Sequence, residues 1–398
     1  MRSVMGELAK GVALLMSVIL VGCGGDGRDN RDDPRTDDPL STPMADLGEQ
    51  LFHDTNLSFN RTMSCATCHN PQHAFVDVRE NMFSRSVSMG ADEVQFGTRN
   101  TPTVAYAMFS PSFSYDSEHN EWVGGQFHDG RAQHLTAQVN LNGGPILNPV
   151  EMMMTDRQSV VARLLEDVTY IEQFQSLFGS DIFDRQGNGS GNPAFSRIGQ
   201  AIAAFEMTDD INPFDSRFDR SLIGDYTLSD TEARGWQLVQ ANCMTCHDSA
   251  SLTGEQRQTF SNYRYYNLGV PVNQAVRDAL GTNEKDPGLF GHPNVSDPAQ
   301  LGKFKTPSLR NIALTDPYMH NGVFSSLDAV LQFKDYRRVA NNQERPINPE
   351  TNIAWGETDY PETVQYTAAD PMSDEDIRAI IDFLKLLTDQ RYESLLDE

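Results

Sequence analysis

Two five-residue runs share one pattern of reactive groups: Cys65-Ala66-Thr67-Cys68-His69 and Cys243-Met244-Thr245-Cys246-His247. Cys-x-x-Cys-His is the attachment pattern of c-type haem, in which the two thiols form thioethers and the adjacent imidazole ligates the iron. A structural zinc site would need four Cys or His ligands in close pairs. Here the two runs lie far apart, and each carries its own histidine. A redox dithiol would have no use for that histidine. The sequence therefore predicts two covalent c-type haems, held by Cys65, Cys68, Cys243 and Cys246, with His69 and His247 as proximal ligands. Two haems on one chain mean redox chemistry.

The elements that must position these groups are legible as a weak internal repeat. Leu47-Gly48-Glu49-Gln50-Leu51-Phe52 precedes the first motif, and Arg234-Gly235-Trp236-Gln237-Leu238-Val239 precedes the second. Each half also ends in an amphipathic run. In the first half this is Ile198–Met207, with Ile198, Ile202 and Phe205 on one face. In the second it is Asp374–Leu387, capped by Ser373, with Ile377, Ile380, Ile381 and Leu384 as its apolar stripe. A helix before the haem motif and another closing the half is the plan of a cytochrome c domain. Strand signals are few. The fold class predicted is mainly α: two cytochrome c-like domains, each binding one c-type haem, with long loops around the haems.

The 398 residues divide accordingly. Residues 1–23 read as a lipoprotein signal. Arg2 and Lys10 precede the apolar run Gly11–Val21, which is too short to span a bilayer comfortably and reads as a signal h-region. Leu20-Val21-Gly22-Cys23 resembles a bacterial lipobox and accounts for the fifth cysteine; the alternative is an ordinary secretion signal. Either way the chain is expected to be exported. Gly24 after the cysteine favours a lipid anchor on the outer membrane, facing the periplasm. Residues 24–44 are polar and read as a disordered tether. Residues 45–220 form the first haem domain and residues 221–398 the second. The polar stretch Asn212–Asp230 reads as their connection, and Gln186–Pro193 as a surface loop. Net charge is −25 and the isoelectric point about 4.6. Nucleic-acid binding is not expected, since phosphate contacts need clustered Lys and Arg. An acidic surface suits either the steering of a basic redox partner or solubility alone.

Further motifs carry a family resemblance. They are Arg99-Asn100-Thr101-Pro102-Thr103, Gln126-Phe127-His128-Asp129-Gly130-Arg131-Ala132 and Gly144-Pro145-Ile146-Leu147-Asn148-Pro149-Val150-Glu151-Met152. In the second half they are Lys305-Thr306-Pro307-Ser308-Leu309-Arg310-Asn311 and Asp316-Pro317-Tyr318-Met319-His320-Asn321-Gly322. With the haem motifs, these resemble the bacterial di-haem cytochrome c peroxidase and MauG family over nearly all of Ala45–Leu387. The resemblance implies that hydrogen peroxide reacts at the first haem. There Glu151 would be the acid–base and Gln138 a nearby distal glutamine. Moving a proton between the two peroxide oxygens is work for a carboxylate in a largely apolar pocket. The competing reading of Glu151 is a helix-start acid before a helix over Met152–Leu165. The resemblance also implies a calcium ion between the domains, with Asn100 and the carbonyls of Thr315 and Pro317 as ligands. Oxygen donors suit calcium.

The chain departs from the family pattern in three places. Many members carry a histidine that plugs the first iron. None lies here between His73 and His119, and His73 is too close to His69 to reach the distal face. The first haem is therefore expected to be open at rest. The family tryptophan before Asp-Gly-Arg is His128 here, so His128 would link the haems unless Trp122 stands in. The second haem's distal ligand is a methionine or a tyrosine in the family. Here Lys334 stands in register and Tyr336 follows two residues on, with Met319 in the preceding turn. Lys334 would have to be deprotonated to bind iron, as burial can achieve. The reaction expected is peroxide reduction at the first haem, with electrons relayed through the second from a small cytochrome or copper protein. The alternative is MauG-like oxidation of a partner protein's side chain through high-valent haem. A rival from another class is a non-catalytic di-haem electron carrier.

Overall fold

The computed structural model describes residues 42–185, 192–248, 257–338, 345–366 and 370–397. The N-terminal signal, all of the expected tether but residues 42–44, and most of the loop expected at Gln186–Pro193 lie outside these residues. The helices are α1 (Thr42–His53), α2 (Cys65–Cys68), α3 (Leu135–Asn140), α4 (Arg157–Leu164), α5 (Val168–Phe178) and α6 (Pro193–Glu206) in the first half. They continue as α7 (Arg217–Leu222), α8 (Asp230–Asn242), α9 (Met244–His247), α10 (Gln274–Leu280), α11 (Leu327–Arg338) and α12 (Asp374–Lys385). The strands described form three short antiparallel pairs: β1 (Ser114–Asp116) with β2 (Glu121–Val123), β3 (Tyr265–Tyr266) with β4 (Phe304–Lys305), and β5 (Ile347–Asn348) with β6 (Ile353–Ala354). This is the mainly helical, loop-rich architecture that the sequence predicts.

The repeat is realised as two helix crossings. Each haem motif follows the first helix of a crossed pair, α1 with α6 and α8 with α12. Leu47, Leu51 and Phe52 of α1 pack on Ile198, Ile202 and Phe205 of α6, with the Phe52 and Phe205 ring centroids 5.3 Å apart. In the second pair Trp236 of α8 stacks on Phe383 of α12 at 5.0 Å. A glycine makes each crossing close. A Cβ added at Gly48 would lie 1.9 Å from the Ala201 carbonyl oxygen, and one at Gly235 would lie 2.0 Å from that of Ala379. The obstacle is backbone at both places, so even alanine would wedge the helices apart.

Several expected boundaries shift. α1 begins at Thr42, three residues before the expected start of the fold. α12 has the expected capping box, Ser373 with Asp376, but Phe383 rather than half-buried Ile381 fills the core. The stretch 212–230 is no bare connection. It holds α7, whose Phe218 is buried among Trp236, Phe260 and Phe383 of the second core. The expected division after residue 220 thus falls inside a helix. Polarity misled here because the polar groups have buried partners. Asp219 accepts from the fully buried guanidinium of Arg310, at 2.8 Å from Nη2 and with Nη1 also donating. A buried cation requires such a partner.

The two halves are riveted together by polar contacts. Arg99 reaches across to Asp286 through Nε and Nη2, each at 2.7 Å. The Tyr106 hydroxyl donates to Asp389 at 2.5 Å, and that carboxylate also accepts from Asn311 at 2.8 Å. Near the C-terminus the Tyr392 hydroxyl returns to the Pro71 carbonyl at 2.6 Å.

Candidate functional site

A single cavity of about 850 Å³ runs between the two Cys-x-x-Cys-His motifs and is lined by both. All four motif cysteines are free and partly buried. Burial pushes the Cys65 and Cys68 thiols up to about 12, the opposite of a reactive dithiol, which needs a depressed pKa. Among the described residues no group of three His, Cys, Asp or Glu converges to hold a metal ion.

The motif histidines are prepared as ligands. His69 Nδ1 lies 3.2 Å from the Phe75 carbonyl oxygen and His247 Nδ1 lies 2.7 Å from that of Phe260. With the proton assigned to Nδ1, the other nitrogen keeps its lone pair for a metal, the usual arrangement of ligating histidines. Desolvation favours the neutral ring, lowering His69 and pushing His247 down to about 3. Thiols, neutral imidazoles and the shared cavity together suit one haem per motif.

On the first motif's side the wall carries Gln138 and Val139 from α3, then Pro145, Ile146, Asn148, Val150, Glu151 and Met152. Asn148 Nδ2 donates to Glu151 Oε1 at 2.5 Å. Burial raises the Glu151 pKa, against the pull of Arg131 and of the Asn148 bond. The helix-start reading fails here. α4 begins only at Arg157 and is capped by Asp156, so Glu151 lies in the preceding turn. His73 does not line the cavity.

Between the motifs His128 is partly buried and its Nε2 lies 2.9 Å from the Asn100 carbonyl oxygen. Desolvation pushes its pKa down to about 4. The His128 carbonyl accepts from Lys305 N at 2.8 Å, and Asn100 N donates to the His320 carbonyl, also at 2.8 Å. His128 is thereby tied to the second half. Trp122 does not line the cavity; it stacks on Phe113 at 4.9 Å. It therefore lies off the wall of the cavity that joins the two motifs.

On the second motif's side, α11 presents Leu327, Val330, Leu331 and Lys334 to the cavity. These positions are one helix face. The Lys334 charge is felt by Cys243, Cys246 and His247. Tyr336 points elsewhere and stacks on Trp355 at 6.0 Å. Met319 also lines the cavity, from a left-handed turn at φ 72°. Asn100, Thr315 and Pro317 all line the same cavity. Asn100 Nδ2 donates to the Ser86 carbonyl at 3.3 Å, which leaves its side-chain oxygen as the free end.

The family model described as di-haem cytochrome c peroxidase matches residues 42–227. The chain is 42% identical over 367 residues to the methylamine utilization protein MauG of Paracoccus denitrificans, covering 90% of this chain and 92% of that one. It is 32% identical over 298 residues to the cytochrome c551 peroxidase of Nitrosomonas europaea, covering 74% and 73%. The chain belongs to the di-haem cytochrome c peroxidase and MauG family. Among solved structures, the diheme peroxidase BthA of Burkholderia thailandensis superposes with a TM-score of 0.72 at 27% identity, covering 88% of this chain and 87% of that one. A MauG-like protein associated with microbial copper homeostasis superposes at 0.63 and 28% identity, covering 89% and 92%. As a family member the chain is a di-haem oxidoreductase with two c-type haems, which sets the electron-carrier reading aside.

Two charged groups of this peroxidase-family cavity escape sequence reading. Glu206 is buried on the cavity wall, and desolvation alone pushes its pKa up to about 8. Its signal was present: it falls one turn after Ile202 on the apolar stripe of α6. Lys305 is partly buried beside His128, bonded to Ser110 Oγ at 3.2 Å and to the Gly125 carbonyl, and desolvation lowers it to about 7. Nothing in the local sequence marks that lysine as enclosed, because its surroundings come from distant loops.

Proposed function

We propose that peroxide is reduced on the first motif's side of the cavity, with Glu151 as acid–base and Gln138 beside it, and that electrons arrive through the second site. A bound c-type haem supplies the iron at which peroxide chemistry and one-electron transfer take place. Cys65, Cys68 and His69 would hold one haem; Cys243, Cys246 and His247 would hold the other. The protein's own contribution is proton handling. The observation that carries the reading is a partly buried carboxyl on the cavity wall at the first motif's side, oriented by Asn148. The Glu151 carboxylate takes the proton from one peroxide oxygen and returns it to the other. Asn148 and Arg131 keep its pKa from rising further. Overall one H2O2, two electrons and two protons give two waters. Peroxide added to the fully reduced holo-protein should therefore reoxidise both haems at one peroxide per protein. Reduced haems that persist in peroxide would overturn the reading.

Lys334 is the proposed distal ligand of the second haem, supported by its place on the cavity face of α11. His128 is the proposed link between the haems. Asn100, Thr315 and Pro317 would hold a calcium ion; that all three line the same cavity supports this. One observation favours the second reading, oxidation of a side chain on a partner protein. No methionine lies on α11, so that helix does not offer the second site the sulfur donor that raises haem potential.

The chain is proposed to be exported and lipid-anchored through Cys23, on the strength of the h-region and lipobox. No helix among the described residues is long and apolar enough to cross a membrane. Cys23→Ser should shift the protein from the membrane to the soluble exported fraction, whereas unchanged membrane association would contradict the anchor.

A further inference from the structure

Outside the cavity the molecule carries a file of aromatic rings that the peroxide site does not use. It starts on the β1–β2 hairpin, where Tyr115 pairs with Trp122 across the strands. Tyr115 is 48% exposed, and its ring lies 5.1 Å from that of Trp122. Trp122 is half-buried and lies flat on Phe113, at 4.9 Å and 9° between planes. Phe113 is buried against His292 at 4.0 Å and Tyr265 at 6.1 Å. Phe113 and Tyr265 both press on Gly130. A Cβ there would lie 2.1 Å from the Tyr265 hydroxyl and 2.7 Å from the Phe113 ring. Gly130 adjoins Asp129 and His128, between the two motifs. The next residue of β3, Tyr266, lines the cavity beside Cys246.

We propose that the β1–β2 hairpin is an electron-entry port: a basic, one-electron redox protein docks over Tyr115 and passes electrons through Trp122 and Phe113 toward the cavity. The proposal rests on the peroxidase reading above. Tyrosine and tryptophan are the most readily oxidised side chains, and through-space transfer falls steeply with distance. Rings in van der Waals contact are therefore the favoured path. The port is also held rigidly. Arg264, itself buried, clamps the hairpin base through Asp116 at 2.6 Å and Glu121 at 3.0 Å. The choice of partner follows from charge. Asp116 and Glu121 share Arg264, and Glu118 adds a further carboxylate to the hairpin of a chain whose net charge is −25; complementary charge steers such encounters. In each event the partner loses one electron, and a transiently oxidised ring regains it. After two events one H2O2, with two solvent protons, has become two waters.

The test uses holo-protein, peroxide and a reduced basic cytochrome c as the donor probe. Trp122→Phe keeps the stack but removes the oxidisable indole. It should slow donor oxidation by about tenfold or more and leave peroxide reoxidation of the pre-reduced protein unchanged. Trp122→Tyr should restore much of the rate, and Glu118→Lys should slow donor oxidation and weaken its salt dependence. With peroxide and no donor, oxidative mass gains should concentrate on Tyr115 and Trp122 rather than on Tyr366, which is 62% exposed. Donor oxidation at the parent rate in Trp122→Phe, or equal labelling of Tyr366, would overturn the port. Loss of peroxide reactivity in the unaltered protein would instead overturn the peroxidase reading beneath it.

Discussion

Glu151→Gln slows the reaction with peroxide by about 100-fold or more, the usual scale for a lost acid–base group, while both haems stay attached and the fold is kept. The amide preserves the shape of the side chain and can still meet Asn148, but it cannot take a proton. The pH profile sharpens the test. Burial raises the Glu151 pKa above its ordinary value, and the working form is the carboxylate. The rate of the parent protein should therefore fall as pH is lowered through that raised pKa, and this limb should vanish in Glu151→Gln. Stopped-flow absorption against pH measures both. A parent-like rate in the variant would return Glu151 to a purely structural role.

Lys334→Ala should abolish or change the low-spin signal of the second haem, whereas Tyr336→Phe should leave it alone. The contrast follows from one helix. Lys334 shares the cavity face of α11 with Leu327, Val330 and Leu331, and Tyr336 is turned to Trp355. A nitrogen donor in place of methionine sulfur should also hold the potential low. Tyrosinate would give a charge-transfer absorption that lysine does not. Electron paramagnetic resonance and absorption spectra of the two variants decide the matter. A signal that survives both substitutions would move attention to Met319, and a sulfur–iron charge-transfer band would sink the lysine assignment outright.

How much of this was legible in the sequence depends on the range of the interactions involved. The haem motifs, the helix before each, and the capped α12 are written in local spacing, and local spacing survives folding. The glycine at each crossing stood in the repeat, at Gly48 and Gly235, although only the structure shows what backbone it admits. The errors arose where partners are distant. Residues 212–230 looked unpackable because Arg310, the partner of Asp219, lies far along the chain. Trp122 is close in sequence to His128, yet the hairpin stacks it on Phe113, off the cavity wall. Glu151 invited a helix-start reading because acids favour such positions, yet Asp156 supplies the cap. Lys305 likewise takes its surroundings from distant loops, through its bonds to Ser110 and Gly125.

The central claim is that the first site is open for peroxide while the second is closed by a protein ligand. It is tested most directly by the absorption spectrum of the oxidised holo-protein, taken before any reductant is added and again after peroxide. The account predicts one high-spin and one low-spin haem, with an immediate spectral response to peroxide. Two low-spin haems, and no response until the protein has been reduced, would contradict it.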